Sequence, residues 1–447
     1  MAALAICPQC LFTPYLSIPT VTLFIMAKAL GVPLSFLLIF AIFFYFAYQR
    51  ITGVNQEPAN LADYPDKHTI KANLTNTDWA LGSLFQPPLY TSGRYILDKS
   101  GARFKLVSVN WYGASDKFFI PGGLDVQHRS DIARAIRKHG FNSVRLPYAD
   151  EMVTKNPLIN STLLTANADL VGSTALEIYH AVVESITEAG LAVIVNNHIT
   201  QARWCCDGNP CDTIWLNTHL GPFCRVSQSE SQWVENWLTI MRPHVNNPFV
   251  VGADLRNEVR SLKGRLLWND WATAAEEAAG ALLTLQPNWL MVVEGVQSAN
   301  DLSGARERPV QLSVPNRLVY SSHVYAWSGW GSLNPNSKRT YASFATEMQY
   351  NWAWLLDDNI APVWVGEFGA PHEPNKGDMN YWNHLIQFLE ETDADFGYWA
   401  INPRKPDKNE IETYSLFEDD WISLIYDYRI HDMARLSRQK LPAKMLP

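Results

Sequence analysis

The sequence predicts an α/β chain, a (β/α)8 TIM barrel behind an N-terminal transmembrane anchor and stalk. Three observations carry this. Short apolar runs rich in Val and Ile alternate eight times with stretches of helical period. The Gly-rich first turn usual in a doubly wound open sheet does not occur. Polar side chains recur where the apolar runs end, which in a parallel barrel gathers them at one mouth.

The elements follow in order. Residues 104–110 form the first strand. A helix over about 126–139 puts Ile132 and Ile136 on one face and stops at Gly140. Residues 141–147 form the second strand. The next helix, about 173–188, spaces Leu176, Tyr179, Val183 and Ile186 at helical period, and Gly190 closes it. Residues 191–198 are the third strand. A Cys-bearing loop over about 199–228 and a Trp-rich helix near 231–242 lead to a fourth strand, 250–258, which delivers Glu258. A helix at about 268–285 precedes the fifth strand, 290–295, and the sixth is 318–325. Helices at about 341–356 and 379–391 flank the seventh strand, which delivers Glu367. The eighth is 396–402. No repeat or low-complexity segment interrupts the pattern.

The chain has 447 residues, room for one barrel and its extensions, since such barrels take about 250–350 residues. Net charge is −8, and no Lys/Arg run favours nucleic acid. Seventeen Trp make a heavy aromatic load, and some of these rings are expected to stack on sugar faces. Residues 1–28 are expected to be a short cytosolic tail or a gene-model extension, because Met26 would itself make a normal start. Residues 29–48 carry no charge and are long enough to span a bilayer. No clean small-x-small cleavage site follows, so an uncleaved signal anchor is expected. Residues 49–90 read as a stalk, 91–430 as the barrel and 431–447 as a C-terminal tail.

Cys205, Cys206, Cys211 and Cys224 cluster within one loop. Behind a secretory-type segment, such an even cluster predicts two disulfides. The cluster lacks a Cys-x-x-Cys, and zinc is the less favoured reading. Sequons at Asn73 and Asn160 agree with a lumenal or extracellular position for the catalytic domain.

The strand ends carry a constellation. Arg145 ends the second strand, His198 the third, and Asn257-Glu258 the fourth. His323 and Tyr325 end the sixth, Glu367 the seventh and Trp399 the eighth. Each alone has a bland reading as an ion pair, structural histidine or core aromatic. Together they form a polar ring that a packed core would not tolerate unpaired. Two carboxylates facing each other are the minimum apparatus for cutting a glycosidic bond. Arg145 beside Glu367 would favour its anion, whereas Glu258 must hold a proton to act as acid. For retention of configuration the two should stand about 5–5.5 Å apart.

The segments SVRLPY, NNH, LRNE, SHVY, VGEFG and YWAIN, in that order, resemble glycoside hydrolase family 5, the cellulase-like retaining barrels. The resemblance covers about residues 90–430. It implies Glu258 as acid/base, Glu367 as nucleophile and Asn257 as the binder of the sugar 2-hydroxyl. It implies Arg145 and Tyr325 as partners of the nucleophile, His198 and His323 as hydroxyl binders, and Trp399 as the sugar platform. A monomer acting on a β-linked oligo- or polysaccharide without cofactor or metal is expected. The competing readings are a metal-dependent barrel hydrolase using His198, His323, Asp254 and Glu258, and a non-catalytic sugar-binding barrel. Glu294, ending the fifth strand, is a rival carboxylate, expected to make a hydrogen bond at the rim.

Overall fold

The computed structural model describes residues 58–76, 85–205, 209–260, 268–326, 339–406 and 410–437. The expected anchor at 29–48, and Cys206, lie outside these residues. Among the described residues no helix is long and apolar enough to cross a membrane.

Eight parallel strands close a barrel. After a short hairpin, β1 (Tyr90–Ser92) with β2 (Tyr95–Leu97), come β3 (Val107–Asn110), β4 (Ser143–Ala149), β5 (Ala192–Ile199) and β6 (Val250–Asp254). β7 (Leu290–Glu294), β8 (Leu318–His323), β9 (Val363–Phe368) and β10 (Asp395–Tyr398) complete it, with β10 pairing β3. The expected alternation of strands and helices is thus observed.

Strand periodicity sorts the side chains. On β5, Val193 and Val195 face the helical layer, while Ala192 and Ile194 belong to an inner cluster with Leu106, Val251, Leu290, Val292, Val319 and Trp364. Phe85 and Ile96, from the hairpin region, pack into the same inner cluster. Inward positions therefore begin apolar. Further along most strands they turn polar: Arg145, Asn196, His198, Asp254, Glu294, His323 and Glu367 are all buried. Successive side chains alternate faces with period two, so apolar and polar inward positions stack in layers. The polar layer lies at the C-terminal ends of the strands, where barrel sites form.

The helix signals read from sequence are realised. Thr174 and Glu177 form a capping box on the helix Ala175–Glu188, and Asn375 and Asp378 form another on Lys376–Thr392. Gly140 and Gly190 take positive φ, 87° and 78°, just past their helices, where a Cβ would be strained. Stretches read as stalk and tail pack on one another. Tyr64 donates to Asp432 at 2.9 Å, and the helix Tyr428–Leu436 buries Arg429, which donates to the carbonyl of Ala370 and to Tyr398.

Candidate active site

Arg145 organises the mouth. It is fully buried on β4, and its donors fan out to four strand ends. Nε donates to Asp254 Oδ2 at 2.7 Å. Nη1 donates to Asn110 Oδ1 at 3.0 Å and to Glu367 Oε1 at 2.5 Å. Nη2 donates to Asn257 Oδ1 at 2.8 Å and to Glu294 Oε1 at 3.0 Å. These contacts use the whole five-donor fork of the guanidinium. The other oxygen of Glu367 accepts from Tyr325 Oη at 3.0 Å. Glu367 is therefore gripped at both oxygens, as its proposed partners Arg145 and Tyr325 require. Burial and the neighbouring Glu367 charge push the Tyr325 phenol well above its ordinary value, so it stays a donor.

Glu258 arrives differently from the sequence expectation. β6 ends at Asp254, and Glu258 sits four residues beyond it, in the left-handed region with φ 46°. The intervening turn is held from behind by Arg256, fully buried, which donates to Asp150, Asn197, Thr200 and the carbonyl of Asp212. The Glu258 backbone N–H donates to Glu294 Oε2 at 2.7 Å. Its carboxylate meets His323 Nδ1 at 3.3 Å and accepts from Arg260 Nη1 at 3.1 Å. One side-chain oxygen of Glu258, one of Glu367 and a ring nitrogen of His323 all lie within 4.8 Å of one another.

Protonation follows from this crowding. Burial raises the Glu258 carboxyl, but the His323 hydrogen bond and the charges of His323, Arg260 and Arg145 outweigh it and lower it. His323 is pulled down by burial, yet Glu294, Glu367 and the Glu258 hydrogen bond raise it to about 9. In the open cleft one proton is shared by this pair and sits on the imidazole side. This runs against the expectation of a Glu258 protonated at rest, because the neighbouring His323, Arg260 and Arg145 favour its anion. His198 is pushed well below its ordinary value by burial and by Arg145, so it is neutral; its Nδ1 lies 2.9 Å from Asn196 Oδ1.

The cleft holds about 330 Å³. His198, Asn257, Glu258, Tyr325, Glu367 and Trp399 line it, as do Trp204, Cys205, Lys405, Glu412, Thr413 and Tyr414. Trp399 stacks with His198 (5.4 Å) and with Tyr112 (5.0 Å). Trp204 stands against Tyr112 at its edge, with Lys405 over its ring at 5.0 Å. Arg145 and His323 lie beneath the surface, both fully buried. His323, expected to bind a sugar hydroxyl, meets carboxylates instead. A cation could reach Glu258, His323 and Glu367, but Arg145 already takes one oxygen of Glu367 and opposes a second positive charge there.

Two carboxylates have partners that a reading by strand ends alone does not give. Asp254 pairs with Arg145, and Glu294 is fully buried under the site rather than at its rim. Their signal was the acidic end of an apolar run, but their partner comes from β4, far away in sequence. Trp204, Lys405, Glu412, Thr413 and Tyr414 come from loops with no periodicity to reveal them. The disulfide Cys211–Cys224 closes part of the loop after β5, and Cys205 is disulfide-bonded as well. Both sequon asparagines, Asn73 and Asn160, are exposed.

A closed parallel barrel with two glutamates across its C-terminal mouth defines a glycosidase-type site. The cellulase description of glycosyl hydrolase family 5 matches residues 97–405, and the chain belongs to that family. It is an O-glycosyl hydrolase. It is 29% identical over 350 residues to an endoglucanase of Paenibacillus polymyxa, covering 74% of this chain and 83% of that protein. It is 29% identical over 363 residues to a glycosyl hydrolase 5 family protein of Chamaecyparis obtusa, covering 75% of this chain and 63% of the relative. An endocellulase from Pyrococcus horikoshii in complex with cellotetraose superposes with a TM-score of 0.65 at 25% identity, over 79% of this chain and all of that one.

Proposed function

We propose that the protein cleaves internal β-glycosidic bonds of a β-glucan by double displacement, with retention of configuration. Glu367 attacks the anomeric carbon, and Glu258 first protonates the leaving oxygen and then deprotonates water. One observation carries this reading. Glu367 is gripped at both oxygens by Arg145 and Tyr325, and a Glu258 oxygen lies within 4.8 Å across the cleft. That closeness suits retention, since inversion needs room for a water between carboxyl groups about 6.5–9.5 Å apart.

The remaining lining fits a sugar. Trp399 offers a half-buried aromatic face, and His198 lines the cleft beside it. Asn257 accepts from Arg145 and lines the cleft, which supports its reading as the binder of the sugar 2-hydroxyl. The β-glucan itself is supported by the endoglucanase and endocellulase relatives. The proposed setting is a membrane-anchored, monomeric enzyme with its catalytic domain in the secretory lumen or outside the cell. Support comes from the uncharged 29–48 stretch, the disulfides and the exposed sequons.

A panel of β-1,4-glucan, mannan, β-1,3-glucan, β-1,6-glucan and a glucosylated lipid tests the substrate, with reducing-sugar release and product length as readouts. Internal cleavage of a β-glucan is expected. Activity only on mannan or the lipid would overturn the substrate, and release of α-configured first product would overturn retention.

A further inference from the structure

Glu294 is a buried carboxylate with no role in the attack or in proton transfer to the leaving group, yet it touches the machinery at three points. Its Oε2 accepts the backbone N–H of Glu258 at 2.7 Å. Its Oε1 accepts from Arg145 at 3.0 Å. That same oxygen lies 3.5 Å from His323 Nε2, a ring nitrogen with no hydrogen-bond partner among the described residues. The opposite nitrogen of that ring faces Glu258 Oε1 at 3.3 Å. The imidazole thus stands in line between two glutamates, one under the site and one in it.

Glu258 needs such support. A non-glycine residue at φ 46° is strained, and strain persists only where the surroundings hold it. Glu294 supplies the hydrogen bond at that residue. Gly366 leaves room beside the ring: a Cβ there would stand 2.7 Å from Ser321 Oγ and 3.4 Å from His323 Nε2.

We propose that Glu294 is a positioning residue for the acid/base, holding the left-handed backbone of Glu258 and, through the His323 ring, holding the proton that His323 shares with Glu258. This rests on the reading of Glu258 as acid/base. The groups facing the Glu294–His323 pair are Arg145 from β4, His198 from β5, Asp254 from β6, Glu367 from β9, and Glu258 and Arg260 from the turn after β6. Tyr325 follows on the same segment as His323. Burial and Asp254 push the Glu294 carboxyl well above its ordinary value, against His323 and Arg145. Its proton and that of His323 therefore belong to one shared set, coupled to Glu258.

The test compares Glu294→Gln and Glu294→Asp with the unaltered protein and with Glu258→Ala. Each is assayed on a plain cello-oligosaccharide and on its 2,4-dinitrophenyl glycoside, whose leaving group needs no acid. Glu294→Gln keeps the shape but removes a carboxyl beside His323, so the shared proton is held less strongly. Its kcat/KM on the plain substrate should fall roughly 10²-fold, the scale of a misplaced catalytic group. The loss on the dinitrophenyl substrate should be much smaller. The alkaline limb of kcat/KM should move to lower pH, and Glu294→Asp, which keeps a carboxyl, should restore that limb. Equal losses on both substrates with an unmoved alkaline limb would overturn the inference while leaving Glu258 as acid/base. If Glu258→Ala itself showed no dependence on leaving group, the site reading would fail, and this inference with it.

Discussion

Tyr325 donates to Glu367 Oε2 at 3.0 Å while Arg145 holds the opposite oxygen. The carboxylate is therefore held at both oxygens by two side chains, one on β4 and one just past β8. A hydrogen bond to a charged group is worth about 1.5–3 kcal/mol, so Tyr325→Phe should lower kcat about 10- to 100-fold. Steady-state kinetics on an oligosaccharide checks this. An unchanged kcat would mean that the phenol plays no part in aligning the nucleophile.

Arg145 joins three buried carboxylates. Arg145→Met would leave Asp254, Glu294 and Glu367 without their shared cation. Removing one partner of a buried ion pair costs about 3–5 kcal/mol, so the variant should lose stability on that scale as well as activity. Denaturant unfolding measures it; a loss below about 1 kcal/mol, the level of a surface pair, would show that the network contributes no more than that.

The loop after β5 supplies Trp204 and Cys205 to the cleft, and Cys211–Cys224 closes it across a sequence separation of 13. A short closed loop is worth about 2–4 kcal/mol, a model-dependent figure. Replacing both cysteines by Ser should lower stability by that much and weaken binding of long substrates more than short ones. Thiol counting in the denatured, unreduced protein gives an independent check: a free thiol at Cys211 or Cys224 rules the pairing out.

Acid should weaken the fold through a histidine pair remote from the mouth. His180 Nδ1 lies 2.9 Å from His244 Nε2. Burial lowers His180 to about 4, and burial with the His180 charge lowers His244 to about 3. The unfolded chain takes up these protons near the ordinary value of 6.5 and the folded one does not. The contribution is thus fully present above pH 6.5 and is lost as pH falls toward 4 and then 3. Urea midpoints at pH 7 and pH 4.5 should differ less in a His180→Gln, His244→Gln double variant than in the unaltered protein. An equal difference in both would place the acid sensitivity elsewhere.

The fold was legible because strand and helix periods are local. β5 could be read from 191–198, and the capping signal Thr174 with Glu177 stands in the sequence itself. Two cleft-lining residues were legible as strand ends: Glu367 lies on β9, and Trp399 directly follows β10. What was not legible depends on distance. The turn that lifts Glu258 off β6 relies on Arg256 reaching Asp150 and on Glu294 reaching across from β7, pairings no local pattern contains. His323 was legible as a site residue, but its burial among carboxylates was not. The anchor expectation for 29–48 awaits protease protection in sealed microsomes. A protected domain with glycans at Asn73 and Asn160 is expected, and a protease-sensitive, unglycosylated one would reject it.

The most direct test of the central claim is the stereochemistry of azide products from the two glutamate variants, read by NMR. Without its nucleophile, Glu367→Ala leaves space for azide to attack the sugar from the opposite face, which predicts an inverted glycosyl azide. Glu258→Ala should still glycosylate Glu367 from substrates with good leaving groups, because general acid help, about 10²–10⁴-fold, is dispensable there. Azide then resolves the glycosyl-enzyme and gives a product of retained configuration. Retained azide product from Glu367→Ala, or near-normal hydrolysis by it, would contradict Glu367 as the nucleophile.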